Sequence, residues 1–277
     1  MNKRVCTVLL QRNLPDVTNQ FADIFFKNND DMSDFFVVES GSDEENITKH
    51  KTFYADWEDA RENGLRTGRG FNFALKSIED LDQKYEFILM VTGDTKLPDE
   101  PYVYKLVEEM DAHKRMGVIT PISPDWGGRV TKFRDKNSTF AYGRQIPHIC
   151  WMFRKECIDS IVEGIKPNVY GQYLYDGENF RCYGADTEIM MKMYQKDWFF
   201  AITSKTSMQE DYELTNKNYK RMKTDSHDLH RKLMWEEGLR WISKKFNCNN
   251  KHEFNNILVQ EYNKFFDRHP ELLSIKY

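Results

Sequence analysis

Three short apolar runs, each broken by a turn of small polar residues, constrain this chain more than any other feature. Residues 5–10 (VCTVLL), 35–39 (FFVVE) and 87–91 (FILMV) are too short for ordinary helices and too evenly apolar for strands with one wet face. A strand of this kind is covered on both sides, as in a parallel sheet flanked by helices. Between the runs the apolar period lengthens to that of a helix. Residues 17–27 carry Phe21, Ile24 and Phe25 on one face, and residues 71–78 place Phe71, Ala74, Leu75 and Ile78 at i, i+3, i+4 and i+7. This alternation predicts an α/β layer fold with a mixed, mostly parallel sheet.

The rest of the chain continues the pattern less cleanly. Strands are expected at 52–55, 118–120, 150–153 and 199–203, and helices at 102–116, 156–162 and 186–194. Pro121, Pro124, Gly127, Gly128, Gly143 and Pro147 make 121–147 a long loop or loose hairpin. Residues 163–185, rich in Gly, Tyr and Asn, form a second surface excursion, and from Ser226 onward the tail reads as helical. The expected organisation is one domain over 1–205 with a helical extension, 206–277, packed on it.

Composition narrows the function classes. With 277 residues, 40% of them apolar, the chain can bury one substantial core. A net charge of -4 supplies no global basic field for nucleic acid. The five cysteines are odd in number and contain no C-x-x-C pair, so neither a zinc ribbon nor a disulfide framework is indicated. No run of about 18 apolar residues and no signal-type h-region occurs, and the expectation is a soluble cytoplasmic protein.

Ligands of open α/β sheets sit outside the carboxyl ends of the strands, so the polar turns are the places to look for chemistry. Glu39 ends the second run, with Ser42 and Asp43 just beyond. A carboxylate there can accept hydrogen bonds from a base or a ribose, although Ser42-Asp-Glu-Glu also suits a helix cap. The third run ends in Thr92-Gly-Asp94-Thr. An acid after a close-approach glycine suits a divalent cation and a diphosphate, and equally an ordinary turn. In Tyr183-Gly-Ala-Asp186-Thr-Glu188, Asp186 is either a general base or the cap of the following helix. Arg66 and Arg69 stand among Gly64, Gly68 and Gly70 before a helix, where guanidinium and backbone N–H groups can meet phosphates. His227 and His230 have the spacing to share a metal or to lie on a wet helix face.

Taken in order, VCTVLL, VVESGSDEEN, the stretch around Asn72, FILMVTGDTKLPD and YDGENFRCYGADTE resemble the family 2 glycosyltransferases of the GT-A fold, over roughly residues 3–205. The resemblance implies that the acid after the second strand, Glu39 here, contacts the nucleotide base. The family's D-x-D corresponds to Thr92-Gly-Asp94, with the first acid missing and Asp94 left for the metal and diphosphate. Its E-D pair corresponds to Ala185-Asp186, again with the second acid kept, as the catalytic base. Asp176 falls on the acceptor side, and His227 (or His230, nearly as good) at the position that completes metal or diphosphate binding.

The implied activity is an inverting transfer of a sugar from a nucleotide-sugar, UDP-linked by family habit, to an acceptor hydroxyl. The implied cofactor is a divalent cation, Mn2+ or Mg2+, beside Asp94 and His227, with Glu39, Ser42, Arg66, Arg69, Thr92 and Asp94 holding the donor. Trp126 in the 121–147 loop, near Arg129, Lys132 and Arg134, joins Asp176 as a candidate for the acceptor. That acceptor is a glycan, a protein or a modified nucleic acid. Two alternatives stay open: a glycosyltransferase-like binding module without catalysis, and a sugar nucleotidyltransferase. The latter class carries a Gly-rich loop after the first strand, where this chain has Gln11-Arg-Asn-Leu-Pro.

Overall fold

A computed structural model describes residues 3–50, 52–124, 138–144 and 146–272. The chain opens with β1 (Val5–Gln11), α1 (Pro15–Asn29), β2 (Ser33–Ser40) and β3 (Thr52–Ala55). There follow α2 (Glu58–Asn63), α3 (Arg66–Glu79), β4 (Phe87–Val91), the two-residue β5 (Thr95–Lys96) and α4 (Tyr102–Ala112). The second half holds β6 (Met116–Ile122), β7 (Phe140–Tyr142), β8 (Cys150–Arg154), α5 (Lys155–Ile161), α6 (Ala185–Gln195) and β9 (Phe199–Ser207). It closes with β10 (Gln209–Glu210), α7 (Tyr212–Asn218), α8 (His227–Phe246) and α9 (Lys251–Arg268).

Among the described residues, eight strands form one sheet in the order β3-β2-β1-β4-β8-β6-β9-β7. The first four are parallel, with β1 paired along its whole length to β2 and β4 on its other side. β8 runs antiparallel between β4 and β6, β9 is parallel to β6, and β7 closes the edge antiparallel to β9. The three apolar runs of the sequence are β1, β2 and β4, and β4 is buried at all five positions. α1 and α4 pack on each other beside β1 and β6, and α3 covers β1, β2 and β3.

Several boundaries differ from the sequence expectation. α4 ends at Ala112, because His113 leaves the helix with φ -129 while its N–H still closes on the Glu109 carbonyl, and Met116 then starts a strand. Three residues of the expected loose hairpin form β7. The short elements α2, β5, β10 and α7 carry too few residues for any period to show. The helix over Arg66–Gly70 is also new: the arginine-glycine segment lies inside α3 rather than before it. A Cβ on Gly68 would sit 2.8 Å from the Cys182 sulfur, so this glycine permits close packing of the helix.

The tail is seated by apolar contact. Phe254, Leu258 and Phe265 of α9 are fully buried, and Gly238 lets α8 approach until a Cβ would lie 2.2 Å from Tyr183. Each such large side chain contributes about 1.5–3 kcal/mol on burial, more than surface ion pairs do. Arg268 Nη2 donates to the Tyr194 carbonyl (2.8 Å) and the Tyr142 hydroxyl to that of Leu272 (2.6 Å), which fixes the register of this seam. All five cysteines are free thiols. No helix among the described residues is long and apolar enough to cross a membrane.

Candidate functional site

A crevice of about 790 Å³, counted to its open mouth, lies outside the carboxyl ends of β1 and β4. Gln11 and Arg12 enter it from β1, Ser40 from β2, and Thr92, Gly93 and Asp94 from β4. Asn63, Gly64, Arg66 and Thr67 form a side wall at the start of α3. Gly93 is required by the packing: a Cβ there would stand 2.6 Å from the Leu10 carbonyl oxygen, on an adjacent strand that cannot yield. The crevice continues under α1 into an apolar cavity, lined by Leu9, Phe21, Ile24, Leu97 and Tyr102, that also reaches Asp94.

The roof comes from far along the chain. β10 pairs with β5, and Asp211 N–H donates to the Asp94 carbonyl at 2.7 Å. The strap then runs through α7, giving Leu214 and Thr215 to the crevice, and Met222 and Thr224 follow. It ends on Asp225, whose carboxylate accepts from Arg66 (2.7 Å) and Arg181 (2.8 Å). Asn13, held at φ 57, ties this strap to the loop after β2 by donating to the Arg221 carbonyl and accepting from Asp43 N–H.

Asp94 keeps part of its surface open, yet protein atoms crowd the carboxyl. That desolvation raises its pKa, and the Thr92 hydroxyl opposes the rise. A carboxyl in this state gains from a nearby cation. Asp186 sits in the first turn of α6. Its Oδ1 accepts from Thr187 N–H (2.8 Å), and burial raises its pKa against the opposing Thr187 bond and Lys251 charge. The helix cap is Gly184 at φ 74, which removes the capping role from Asp186. Burial lifts the adjacent Cys182 thiol to about 11; the Gly68 N–H it accepts lowers it, the Asp186 charge adds to the rise, and the charges of Arg69 and Arg66 oppose it. Asp186 does not line the crevice; it lies next to Cys182, which packs on Gly68 of α3, and it feels the charge of Lys251 from α9.

The sequence matches no family model and no curated protein. Solved structures match it in shape. Mannosyltransferase PcManGT from Pyrobaculum calidifontis, in complex with GDP-Man and Mn2+, gives a TM-score of 0.59 at 13% identity over 94% of this chain and 69% of its own. S. aureus TarS 1-349 in complex with UDP gives 0.52 at 15% identity over 87% of this chain and 72% of that one. TarS 1-349 in complex with UDP-GlcNAc gives 0.51 at 14% identity, over 95% and 80%. The fold is that of the GT-A glycosyltransferases. At these identities the likeness establishes the fold, and the reaction has to be argued from the site.

Within this GT-A fold the structure brings Arg66, Thr92 and Asp94 together in the crevice and leaves other candidates elsewhere. Glu39 is fully buried and does not line it. Its oxygens accept from the Gln11 amide, the Ser42 hydroxyl (2.7 Å) and Thr48 N–H (2.8 Å), so the carboxylate braces the loop after β2. Ser42 is part of that brace and caps no helix, since only a single 3-10 turn, Glu44–Asn46, follows. Arg69 points away, donating to the Gly177 carbonyl (2.8 Å) with its guanidinium over Tyr170 and Phe180. Asp176 accepts from the indole of Trp241 and pairs with Lys245, clamping α8 to the sheet domain. His227 is exposed beside Asp228, whereas His230 is the histidine that feels Arg66, Arg181 and Asp225. Trp126 lies outside the described residues.

Sequence reasoning missed Arg12, Arg181 and the strap. Arg12 sits in the turn right after β1, a position the strand-end rule does point to. The strap reaches the crevice through contacts more than a hundred residues apart in sequence, and Arg181 joins it through Asp225, 44 residues on, so no local signal exists for either.

Proposed function

We propose that this chain is a glycosyltransferase that moves a sugar from a nucleotide-sugar to an acceptor hydroxyl. The observation that carries the reading is the crevice itself: on a GT-A fold, at the carboxyl ends of parallel strands, one acid (Asp94) and two arginines (Arg12 and Arg66) line a space of ligand size. The nucleoside lies along Gln11, Asn63 and Gly64, and its diphosphate turns toward Arg12, Asp94 and Arg66.

Among the described residues no cluster of three or more His, Cys, Asp or Glu side chains could hold a metal. The fit for a divalent ion is therefore Asp94 alone, an oxygen donor whose raised pKa favours a neighbouring cation. When bound with the donor's phosphates, Mn2+ or Mg2+ would offset the charge growing on the leaving nucleotide. The chain's own part is to orient and to move one proton. Asp186 takes the proton of the acceptor hydroxyl, which attacks the anomeric carbon opposite the leaving diphosphate, giving an inverted product. Its raised pKa makes it a stronger base than an ordinary aspartate once ionised. The strap from Asp211 to Asp225 excludes water from above.

A thermal-shift panel of UDP-, GDP-, CMP- and dTDP-sugars, with and without Mn2+, tests the donor site. A donor at a hundred times its Kd adds about 2.7 kcal/mol to stability, a readable shift. The reading requires a shift with one nucleotide class; no shift with any of them would remove it.

A further inference from the structure

The cations at one wall of the crevice are incompletely paired. Arg12 is 7% exposed and lines the space. Its Nη2 donates to the carbonyls of Arg61 (2.6 Å) and Glu62 (3.2 Å), while Nε and Nη1 are buried with no partner. None of the ion pairs among the described residues includes Arg12. Arg66 and Arg181 share the Asp225 carboxylate, and Arg181 also pairs with Glu237 at 2.6 Å. Both keep a buried Nε without a partner. Asp225 and Glu237 thus pair only with Arg66 and Arg181, while Arg12 feels Asp43 without an ion pair, beside the start of α3, where the helix adds its own positive end. His230, whose Nδ1 is also unpartnered, reports the resulting field. Burial, then the charges of Arg66 and Arg181, push its pKa down to about 4. A buried cation without a counter-charge is expensive, and an anion with several acceptor oxygens relieves it.

We infer that Arg12 and Arg66, which line the crevice, form a cradle that binds the donor's diphosphate directly, whether or not a divalent cation is present, with Asp225 as its resident counter-anion and Arg181 holding Asp225 in place. This rests on the donor reading above and adds to it. The protein's own guanidiniums supply much of the leaving-group stabilisation that the shortened Thr92-Gly-Asp94 motif cannot. The strap is held down at Asp225 by Arg181 and by Arg66, and the diphosphate engages Arg66 too, so ligand and strap compete for that charge.

Isothermal titration of UDP, GDP and inorganic pyrophosphate, each in EDTA and in Mn2+, separates the possibilities. The cradle predicts that a nucleoside diphosphate binds in EDTA and that Arg12→Gln weakens this binding about tenfold or more. Asp225→Asn, which removes the competing carboxylate, tightens it several-fold. Binding that appears only with Mn2+ and is unchanged by Arg12→Gln overturns the cradle. So does an Asp225→Asn variant that weakens binding as much as Arg12→Gln. If pyrophosphate binds through Arg12 and neither nucleotide binds better, the cradle stands and the donor reading fails. If Arg12→Gln does not fold, the wild type decides: its affinity in EDTA must fall steeply as NaCl rises, and a salt-independent affinity overturns the proposal.

Discussion

The parallel half of the sheet and the mixed half contribute to one crevice by opposite means. In the parallel half, β2, β1 and β4 point their carboxyl ends the same way, and Ser40, Gln11 and Asp94 arrive there within three residues of a strand end. In the mixed half β8 reverses direction, and the strand ends no longer gather. What that half sends to the crevice is the returning chain after β9, pinned at Asp94 by a backbone bond and at Arg66 by an ion pair. The floor is set by strand geometry and close packing at Gly93. The roof is set by a few charges and so is the part that ligand can influence.

The difference can be broken from either side. Asp94→Asn removes the one acid among the described residues that line the crevice, and donor binding in Mn2+ should weaken about ten- to hundredfold, as expected for one charge-assisted contact. Titration with Mn2+ present checks this; unchanged affinity would take Asp94 out of the donor site. Gly238→Ala tests the seat of the tail. The added methyl meets the Tyr183 ring, and thermal melting should show a loss on the order of 1–3 kcal/mol with the floor intact.

Glu39→Ala sharpens the reading of the floor. If the carboxylate is a brace, the variant loses about 1–3 kcal/mol by leaving Gln11, Ser42 and Thr48 donors unpaired, and any remaining donor binding keeps its base preference. A stable variant with altered base preference would return Glu39 to the nucleotide site.

A pH-dependent effect concerns the boundary between the halves. His148 is stacked between Phe71 of α3 and Trp151 of β8, with Tyr175 on Nδ1, and burial pushes its pKa down to about 3. Its unfolded value is about 6.5, so between the two the unfolded chain binds more protons. Stability should therefore fall as pH drops through that window, by about 1.4 kcal/mol per pH unit. Denaturant melts of wild type and His148→Phe measure the slope, which the variant should flatten.

Most of the parallel half was legible in the sequence because its causes are local. Apolar runs covered on both faces predict β1, β2 and β4, and the strand-end rule points to Thr92 and Asp94. Glu39 shows the limit of that rule: a strand-tip acid can be turned into the protein by neighbours such as Gln11 and Thr48, which no spacing reveals. Arg69 shows another, since three residues beyond the start of α3 it is directed to Gly177 rather than to the crevice. The strap was illegible because it depends on pairings between residues 94 and 211 and between 66 and 225, which are set by the folded sheet and not by any nearby pattern.

The central claim is sugar transfer with Asp186 as the base. Release of nucleoside diphosphate from the donor, in the presence of a hydroxyl acceptor, is the most direct test when wild type and Asp186→Asn are compared. The account predicts that the variant still shows a donor-dependent thermal shift while its rate falls by about 10²–10⁴. Equal rates in the two proteins would contradict it.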